Sequence, residues 1–283
     1  MPLEVSSHIN LFADDTKIYW RLTVNQDDVG MQADIDVLGE WSRKWMLPLN
    51  VAKCKVMHIG HQNPNPTYTL HCIPIEETDE KGLGIVIDSD LNFKKQSLVA
   101  VSKARQTLAV LRHSYANINK TTLPLLFNAM IRPLLEYGNT IWGPFSRGNQ
   151  KRLERVQRRA TRMVHSVSHL PYPERLRSLG MPSLCYRRRR GDMITVHQLL
   201  HGGMALAPEE FLTRNESDRT RRHRWKLDKP RARKFVRRNA FSTRIVNDWN
   251  ALPDTVVSAT SVNQFKARLD NHWKNKMYDI PFP

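Results

Sequence analysis

The chain has 283 residues and a mass of 32.9 kDa, a length that allows one substantial core or two smaller ones. Its hydrophobic fraction of 40% and its charged fraction of 25% exclude wholesale disorder. Lysine and arginine outnumber aspartate and glutamate 44 to 27, and the net charge of +17 favours a polyanionic partner such as nucleic acid.

The sequence does not indicate a membrane protein or a secreted protein. No apolar run approaches the roughly 18 to 20 residues that span a bilayer, and the N-terminus lacks a signal-peptide pattern. The three cysteines, Cys54, Cys72 and Cys185, are odd in number and widely spaced, which favours free thiols over a disulfide framework or a paired zinc motif. We expect an intracellular protein, in the nucleus or cytoplasm, with no membrane partner.

Two β-prone runs, residues 9–12 and 16–19, flank the adjacent carboxylates of Asp14 and Asp15. This pattern predicts a β-hairpin with both carboxylates at its tip. Oxygen ligands in that position suit Mg²⁺, which usually takes one or two protein carboxylates together with substrate phosphates. The alternative is a solvated turn, since aspartate is a favoured turn residue.

The string LFADDTKIY, residues 11–19, resembles the catalytic palm hairpin of reverse transcriptases, in particular those of non-LTR (LINE-type, jockey-like) retrotransposons. The resemblance implies RNA-templated DNA synthesis at a two-metal magnesium site, from a DNA primer, an RNA template and deoxynucleoside triphosphates. It assigns Asp14 as the shared metal ligand and Asp15 as the second carboxylate or its support. The third aspartate and the fingers would lie before Met1, so the chain alone is expected to be inactive.

A helix is predicted from Asp27 or Asp28, either of which can cap it, to about Trp45, with an apolar face that packs on a sheet. A strand near residues 56–59 is expected to return beside the hairpin. The preceding Leu49-Asn50-x-x-Lys53 resembles the motif that places a lysine near the triphosphate, where a cation stabilises the departing pyrophosphate. The alternative for Lys53, as for the neighbouring Lys55, is a solvated strand edge.

Further strands are predicted at residues 68–72 and 82–88, after a proline-rich loop at 62–66. The segment Gly82–Phe93 resembles the primer-grip hairpin that ends the palm in this family, which assigns Leu83 and Gly84 to the grip. An aromatic residue usually stands in the family where this chain has Gly82. The glycines allow close approach of a backbone, or they mark a bulge. Histidines 58, 61 and 71 fit no zinc spacing with Cys72 and are interpreted as surface residues.

Helical periodicity follows from residue 95 onward. The first helix, 95–115, is expected to bury Leu98, Val101, Ala104, Leu108 and Leu111 on one face. The second, 121–137, should kink or restart at Arg132-Pro133.

The third helix, 149–167, opposes an apolar face to a basic one. Its candidate nucleic-acid-binding residues are Lys151, Arg152, Arg155, Arg158, Arg159 and Arg162. Together with the string at 132–143, it resembles the thumb of these polymerases, whose basic side lies along a duplex backbone. A helical bundle with a solvated basic face is the alternative.

The remaining chain carries two more basic clusters. A helix is predicted at 184–200, opened by Arg187, Arg188, Arg189 and Arg190. Residues 219–238 are interpreted as a flexible basic arm in which Arg221 and Arg222 meet phosphates and Trp225 or Phe235 stacks on bases. Nuclear import is a compatible explanation for such clusters.

Two C-terminal helices are predicted, the second capped by Ser261. Their apolar residues recur at helical spacing and predict a small core of Trp249, Leu252, Phe265, Leu269 and Trp273. The same strings resemble the tail of jockey-like polymerases.

These elements predict an α+β fold, with a short antiparallel sheet plus helix followed by a mostly helical region. The divisions are a partial palm at 1–93, a thumb at 94–168, a basic connector at 169–240 and a C-terminal segment at 241–283. The functional prediction is a polymerase fragment, inactive by itself. The alternatives are a non-catalytic nucleic-acid-binding remnant, or a translated fragment of a decayed element. No feature specifies an oligomeric state.

Overall fold

The computed structural model describes residues 5–21, 29–60, 63–143, 146–215 and 223–280. The chain divides into two units, Met1–Leu91 and Asn92–Pro283. The predicted caps Asp27 and Asp28, His61, and the predicted nucleic-acid ligands Arg221 and Arg222 lie outside the described residues. In the described ranges, no helix is both long and apolar enough to cross a membrane.

The first unit contains the strands and one α-helix. The elements are β1 (His8–Phe12), β2 (Asp15–Tyr19), α1 (Val29–Lys44), a 3₁₀ turn (Val51–Lys53), β3 (Lys55–Val56), β4 (Thr69–Leu70), β5 (Ile73–Pro74), β6 (Glu76–Glu77), β7 (Glu80–Gly82) and β8 (Ile85–Ile87). The strands form two-stranded sheets: β1–β2, β4–β5 and β7–β8 are antiparallel, whereas β3–β6 is parallel.

The predicted acidic hairpin is confirmed, but the expected strand beside it is wrong. The run at 56–59 gives only the two residues of β3, and these pair with Glu76 and Glu77 instead of with β1 or β2. So short a strand makes few ladder hydrogen bonds, and its placement depends on distant contacts that its sequence does not encode.

The core of the first unit lies between α1 and the strands, as the amphipathic pattern predicted. Ile35, Tyr68 and Leu70 are buried together, and Ile18 of β2 packs against them. Gln32 fixes α1 to β4, since its side-chain amide bonds both the N–H and the carbonyl of Thr69 at 2.9 Å. His58, predicted at the surface, is instead buried beside the ring of Tyr68.

The second unit is helical. Its α-helices are α2 (Lys94–Ser114), α3 (Thr122–Leu126), α4 (Arg132–Glu136), α5 (Asn139–Trp142), α6 (Arg147–Thr161), α7 (His165–Ser168), α8 (Tyr172–Leu179), α9 (Leu184–Leu200), α10 (Phe235–Asn239), α11 (Phe241–Asn250), α12 (Asp254–Val257) and α13 (Val262–His272). Short 3₁₀ turns lie at Pro208–Glu210 and Lys274–Lys276, and a π-helical turn at Phe127–Ile131. The α+β character is therefore sequential: the paired strands and α1 lie before residue 88, and the other α-helices lie after it.

The predicted disruption at Arg132-Pro133 is present as the π-helical turn directly before it. A proline inside a helix lacks an N–H and clashes with the carbonyl four residues earlier. The wider turn accommodates it: the Arg132 N–H reaches back five residues to the Phe127 carbonyl. Phe127, Ile131 and Leu135 remain buried along this segment.

Two details of the helical predictions are wrong. Leu98 is 46% exposed, and Ser97 and Ala100 take the inward positions of α2. The basic helix ends at Thr161 and α7 begins at His165, so the predicted single helix to Val167 is interrupted.

The C-terminal core prediction is confirmed. Trp249, Leu252, Phe265, Leu269 and Trp273 belong to one buried cluster. The cluster also includes Met193 and Val196 of α9 together with Leu212 and Leu227, so the predicted connector and the predicted C-terminal segment share one core. Ser261 caps α13 as predicted, since its hydroxyl accepts from the Gln264 N–H.

Candidate functional site

The acidic pair occupies the tip of the β1–β2 hairpin. Phe12 pairs with Asp15, so Ala13 and Asp14 form a two-residue turn and Asp15 opens β2. Both aspartates are exposed. Ala13 has a φ of 52°, a backbone conformation that is uncommon for residues with a side chain. The hairpin thus presents two carboxylates to solvent from a tight turn.

Asp34 on α1 fixes the approach to this hairpin, and sequence reasoning missed it. Its buried carboxylate accepts from the N–H of Ser6 at 3.0 Å, from the N–H of Ser7 at 2.7 Å, and from the Ser7 hydroxyl. The signal was available, since Asp34 falls between Met31 and Leu38 on the apolar face of the helix. An acid in that position indicates a buried polar contact.

The predicted primer-grip residues form the turn of the β7–β8 hairpin. Gly82 pairs with Ile85, which leaves Leu83 and Gly84 as the turn, with φ angles of 49° and 80°. Positive φ at both central residues is the type I′ pattern of two-residue hairpins. The turn projects outward, and Leu83 is 54% exposed.

An ion pair links the β1–β2 hairpin to the β7–β8 hairpin. Lys17 on β2 lies 2.5 Å from the Glu80 carboxylate on β7. The amino group of Lys17 also covers Gly82, and a Cβ added at Gly82 would collide with it. A side chain at this position would therefore displace the end of the Lys17 side chain.

Lys53 and Lys55 differ in their surroundings, and the difference favours Lys53 as the available cation. Lys55 is ion-paired with Glu76 across the β3–β6 pair. Lys53 ends the 3₁₀ turn with its side chain exposed, and in the described part of the chain it forms no ion pair. Its predicted role at a triphosphate stays a prediction.

Asp14 and Asp15 have the donor chemistry that Mg²⁺ prefers: two exposed carboxylates next to open space for phosphate and water ligands. Within the described ranges, no cluster of three or more histidine, cysteine, aspartate or glutamate side chains is placed to hold a metal ion. The structure places the two aspartates together at one turn, and a role for them in metal binding stays a prediction.

The basic face of α6 lies on the outside of the second unit. Leu153, Val156 and Ala160 are buried on the opposite side. Arg155, Arg159 and Arg162 are exposed, while Lys151, Arg152 and Arg158 are half-buried. The helix has one acid, Glu154, and it points inward to accept from the Tyr172 hydroxyl at 2.7 Å. The solvent-facing side of α6 therefore carries only positive formal charge.

The arginine run of α9 is not one patch. Its members point in different directions and meet different acidic groups: Arg187 pairs with Glu136, Arg189 with Asp248 and Arg190 with Asp270, at 2.5 to 2.6 Å. Arg188 is buried. Burial raises the pKa of Glu154 and of Asp192, and the Arg188 guanidinium opposes that rise in both. These contacts give the run a structural role within the helical unit, and nucleic-acid binding by it stays a prediction.

Arg244 of α11 completes this network from the other side. Its guanidinium donates two hydrogen bonds to the Asp192 carboxylate, both at 2.9 Å. It also donates to the carbonyls of Asn139 at 3.0 Å and Thr140 at 3.3 Å. The side chains of Arg244 and Asp192 are 18% and 9% exposed, so the pair holds α5, α9 and α11 together in a largely dry setting.

The described part of the predicted basic arm is partly packed. Trp225 is half-buried: its ring lies 4.3 Å from that of His201, the Arg214 guanidinium covers it at 4.6 Å, and its carbonyl accepts from the Trp249 indole. It is therefore engaged in the C-terminal core. Phe235 begins α10 and is 54% exposed.

Part of the chain is related to RNA-directed DNA polymerases, and the relatives are those of transposons. It is 25% identical over 167 residues to the probable RNA-directed DNA polymerase from transposon X-element of Drosophila melanogaster, covering 56% of this chain and 18% of that protein. It is 26% identical over 180 residues to the corresponding protein from transposon BS, covering 57% and 18%. The match thus spans less than a fifth of each polymerase.

A third relative, an uncharacterised protein of Caenorhabditis elegans, is 32% identical over 127 residues, covering 42% of this chain and 62% of that protein. No family model and no solved structure matches the chain.

Proposed function

We propose that the chain is the C-terminal part of a non-LTR (LINE-type, jockey-like) retrotransposon reverse transcriptase, running from the acidic palm hairpin through a thumb to the C-terminal helices. The observation that carries the proposal is the hairpin itself, with Asp14 and Asp15 exposed at its tip. The similarity to the two Drosophila transposon polymerases supports it. In this proposal residues 1–93 are a partial palm and 94–168 are the thumb.

The intended reaction is attack of a primer 3′ hydroxyl on the α-phosphate of a deoxynucleoside triphosphate, directed by an RNA template. Asp14 and Asp15 would hold Mg²⁺ through their carboxylate oxygens. When bound, the metal supplies positive charge at the phosphate oxygens. Lys53 neutralises or protonates the departing pyrophosphate. The turn at Leu83 and Gly84 supports the primer backbone. The reaction takes place inside the cell, in the nucleus or cytoplasm.

The chain alone is proposed not to catalyse this reaction, because its hairpin supplies two carboxylates and the two-metal site needs a third from another palm strand. The test is incorporation of labelled nucleotide by the purified chain with Mg²⁺ and a primed RNA template. No incorporation is expected. Incorporation that Asp14→Asn abolishes would refute inactivity and establish the polymerase site directly.

Incorporation is also expected to appear when the chain is extended to include the fingers and the earlier palm strand. Asp14→Asn should abolish that activity, and Glu40→Gln, which alters an exposed acid of α1, should retain it. An extended protein whose activity is unaffected by Asp14→Asn would contradict the assignment of the hairpin.

A second candidate function, nucleic-acid binding without catalysis, is favoured by the acid-free outer face of α6. Contacts between basic side chains and phosphates make affinity fall steeply with salt. Binding of a labelled primer–template duplex should therefore weaken linearly on a double-logarithmic salt plot, and Asp14→Asn should leave it unchanged. A salt slope near zero would contradict the proposal.

A further inference from the structure

An open cavity of about 650 Å³ lies where the C-terminal end of α6 meets the start of α8. Four arginines line it: Arg158 and Arg162 from the α6 end, and Arg175 and Arg177 from α8. The segment Tyr278–Ile280 closes one side, and its Asp279 is the one acid among the lining residues. The volume falls within the range of small-ligand pockets, roughly 300 to 1,000 Å³.

Arg175 forms the floor of this cavity, at 3% exposure. Its Nε donates to the Thr161 hydroxyl at 3.0 Å, and one terminal nitrogen donates to the Leu170 carbonyl at 2.7 Å. These neutral acceptors fix the side chain without cancelling its charge. A buried guanidinium held this way is preorganised, because little side-chain freedom is left to lose when an anion arrives.

The positive charge that lines the cavity exceeds the negative charge, since four arginines stand against the single carboxylate of Asp279. In the ranges that the structure describes, none of the four arginines forms a salt bridge. Burial lowers the pKa of Arg175, and the nearby charges of Arg162 and Arg158 lower it further. Glu154 on α6 accepts from the Tyr172 hydroxyl. Glu174, the carboxylate next to Arg175 in the chain, is exposed and is not among the residues that line the cavity. Four like charges that outnumber the nearby carboxylates repel each other, and a bound anion would relieve that repulsion.

We propose that this cavity binds a backbone phosphate of a nucleic-acid strand, as the terminus of the basic face of α6. The inference rests on the nucleic-acid-binding function proposed above. Continuity supports it, since Arg155, Arg159 and Arg162 are exposed along α6 and the helix leads directly into the cavity. Arginine suits the task because its planar guanidinium donates two parallel hydrogen bonds to phosphate oxygens.

Arginine side chains lie over the two tyrosine rings that line the cavity. The guanidiniums of Arg158 and Arg175 lie 4.9 and 5.4 Å from the centre of the Tyr172 ring, and that of Arg177 lies 5.8 Å from the centre of Tyr278. Because arginine side chains already lie over these rings, the cavity favours recognition of phosphate oxygens over stacking of a base.

The test compares two double variants of the full chain that each remove two positive charges. Arg162→Gln with Arg177→Gln alters the cavity, and both side chains are exposed, so folding is preserved. Arg105→Gln with Arg112→Gln, exposed on α2, is the matched control. Fluorescence anisotropy with a labelled single-stranded RNA and a labelled duplex gives affinity at several salt concentrations, and thermal melting checks the fold of each variant.

The cavity variant is expected to bind about tenfold more weakly, with the logarithmic salt slope smaller by about 0.7 to 1.8, the equivalent of one or two lost phosphate contacts. The control should change affinity less than threefold. Equal effects of the two variants, with wild-type binding intact, would overturn the cavity site alone. Absence of wild-type binding would reject both this site and the nucleic-acid-binding function.

Vesicles containing a phosphoinositide test whether the cavity binds the phosphate of a lipid headgroup instead of that of a nucleic acid. The proposal expects the cavity variant to lose affinity for the oligonucleotides. A variant that loses vesicle binding while its oligonucleotide binding equals that of the control would overturn the proposal in favour of a lipid headgroup.

Discussion

Replacing Arg244 with glutamine should destabilise the helical unit strongly at neutral pH. The substitution removes both hydrogen bonds to Asp192 and leaves that carboxylate 9% exposed with no bidentate partner. Breaking one side of a buried ion pair costs about 3 to 5 kcal/mol. A loss at the low end corresponds to a fall in melting temperature of about 6 to 12 °C for a unit of this size.

The matched control is Arg189→Gln, which breaks an ion pair between the same two helices. In this pair α9 supplies the arginine and α11 supplies the aspartate. Arg189 of α9 pairs with Asp248 of α11, and these side chains are 45% and 29% exposed. Because exposed pairs are worth about 0 to 1 kcal/mol, Arg189→Gln should cost much less than Arg244→Gln. Urea unfolding followed by tryptophan fluorescence measures both losses on the full chain.

The stability lost in Arg244→Gln is expected to depend on pH in a specific way. Burial raises the pKa of Asp192 above its usual value, and Arg244 opposes that rise. Without Arg244 the pKa rises further, so the folded variant binds a proton more readily than the unfolded chain. The deficit is then largest at neutral pH and shrinks as the pH falls toward about 4, the ordinary aspartate value.

Adding Asp192→Asn to the variant should restore part of the lost stability at pH 7, because no buried charge remains. A cost for Arg244→Gln equal to that of Arg189→Gln, or a deficit that stays constant from pH 4.5 to 8, would refute this reasoning.

Three other perturbations test separate features. Asp34→Ala should lower the unfolding free energy of the first unit by about 1 to 3 kcal/mol, because the Ser6 and Ser7 donors lose a charged acceptor; hydrogen exchange at the start of β1 would report it. Gly84→Ala should cost about 1 kcal/mol in thermal melting, since φ is 80° there, and a neutral result would contradict the assigned turn. Burial lowers the pKa of His197, so the folded state resists its protonation and wild-type stability should fall as the pH drops through about 6.5; His197→Gln should flatten that part of the profile.

Local patterns predicted the elements well where periodicity was strong. The α9 prediction of 184–200 matches the helix found, and the C-terminal core residues are those expected from helical spacing. The hairpin at Asp14 and Asp15 was predictable for the same reason, since alternation and turn chemistry are encoded within a dozen residues. The α1 pattern even contained the sign of the Asp34 anchor, as a charged residue on the apolar face.

The arginine run of α9 shows why the remainder was not predictable. Successive residues on a helix are about 100° apart, so four in a row encircle it and cannot share one surface. Their partners Glu136, Asp248 and Asp270 lie 51, 59 and 80 positions away, and no local pattern specifies such pairs. The pairing of β3 with β6 was not predictable for a similar reason, since two-residue strands carry no register signal of their own.

The contacts of Ser183 affect the order in which the helical unit can fold during synthesis. Its hydroxyl caps α9 at the Tyr186 N–H and donates to the Asp279 carbonyl 96 positions later, while its own N–H donates to the Met277 carbonyl. Loops of that length close slowly compared with local helix formation. During synthesis, α9 can therefore form early, and α6 can hold its start through Glu154 and Gln157. The Ser183 contacts form only after Met277 and Asp279 have left the ribosome. A nascent chain stalled short of these residues should be cleaved more readily at residues 180–184 than a chain that includes residues 277–279.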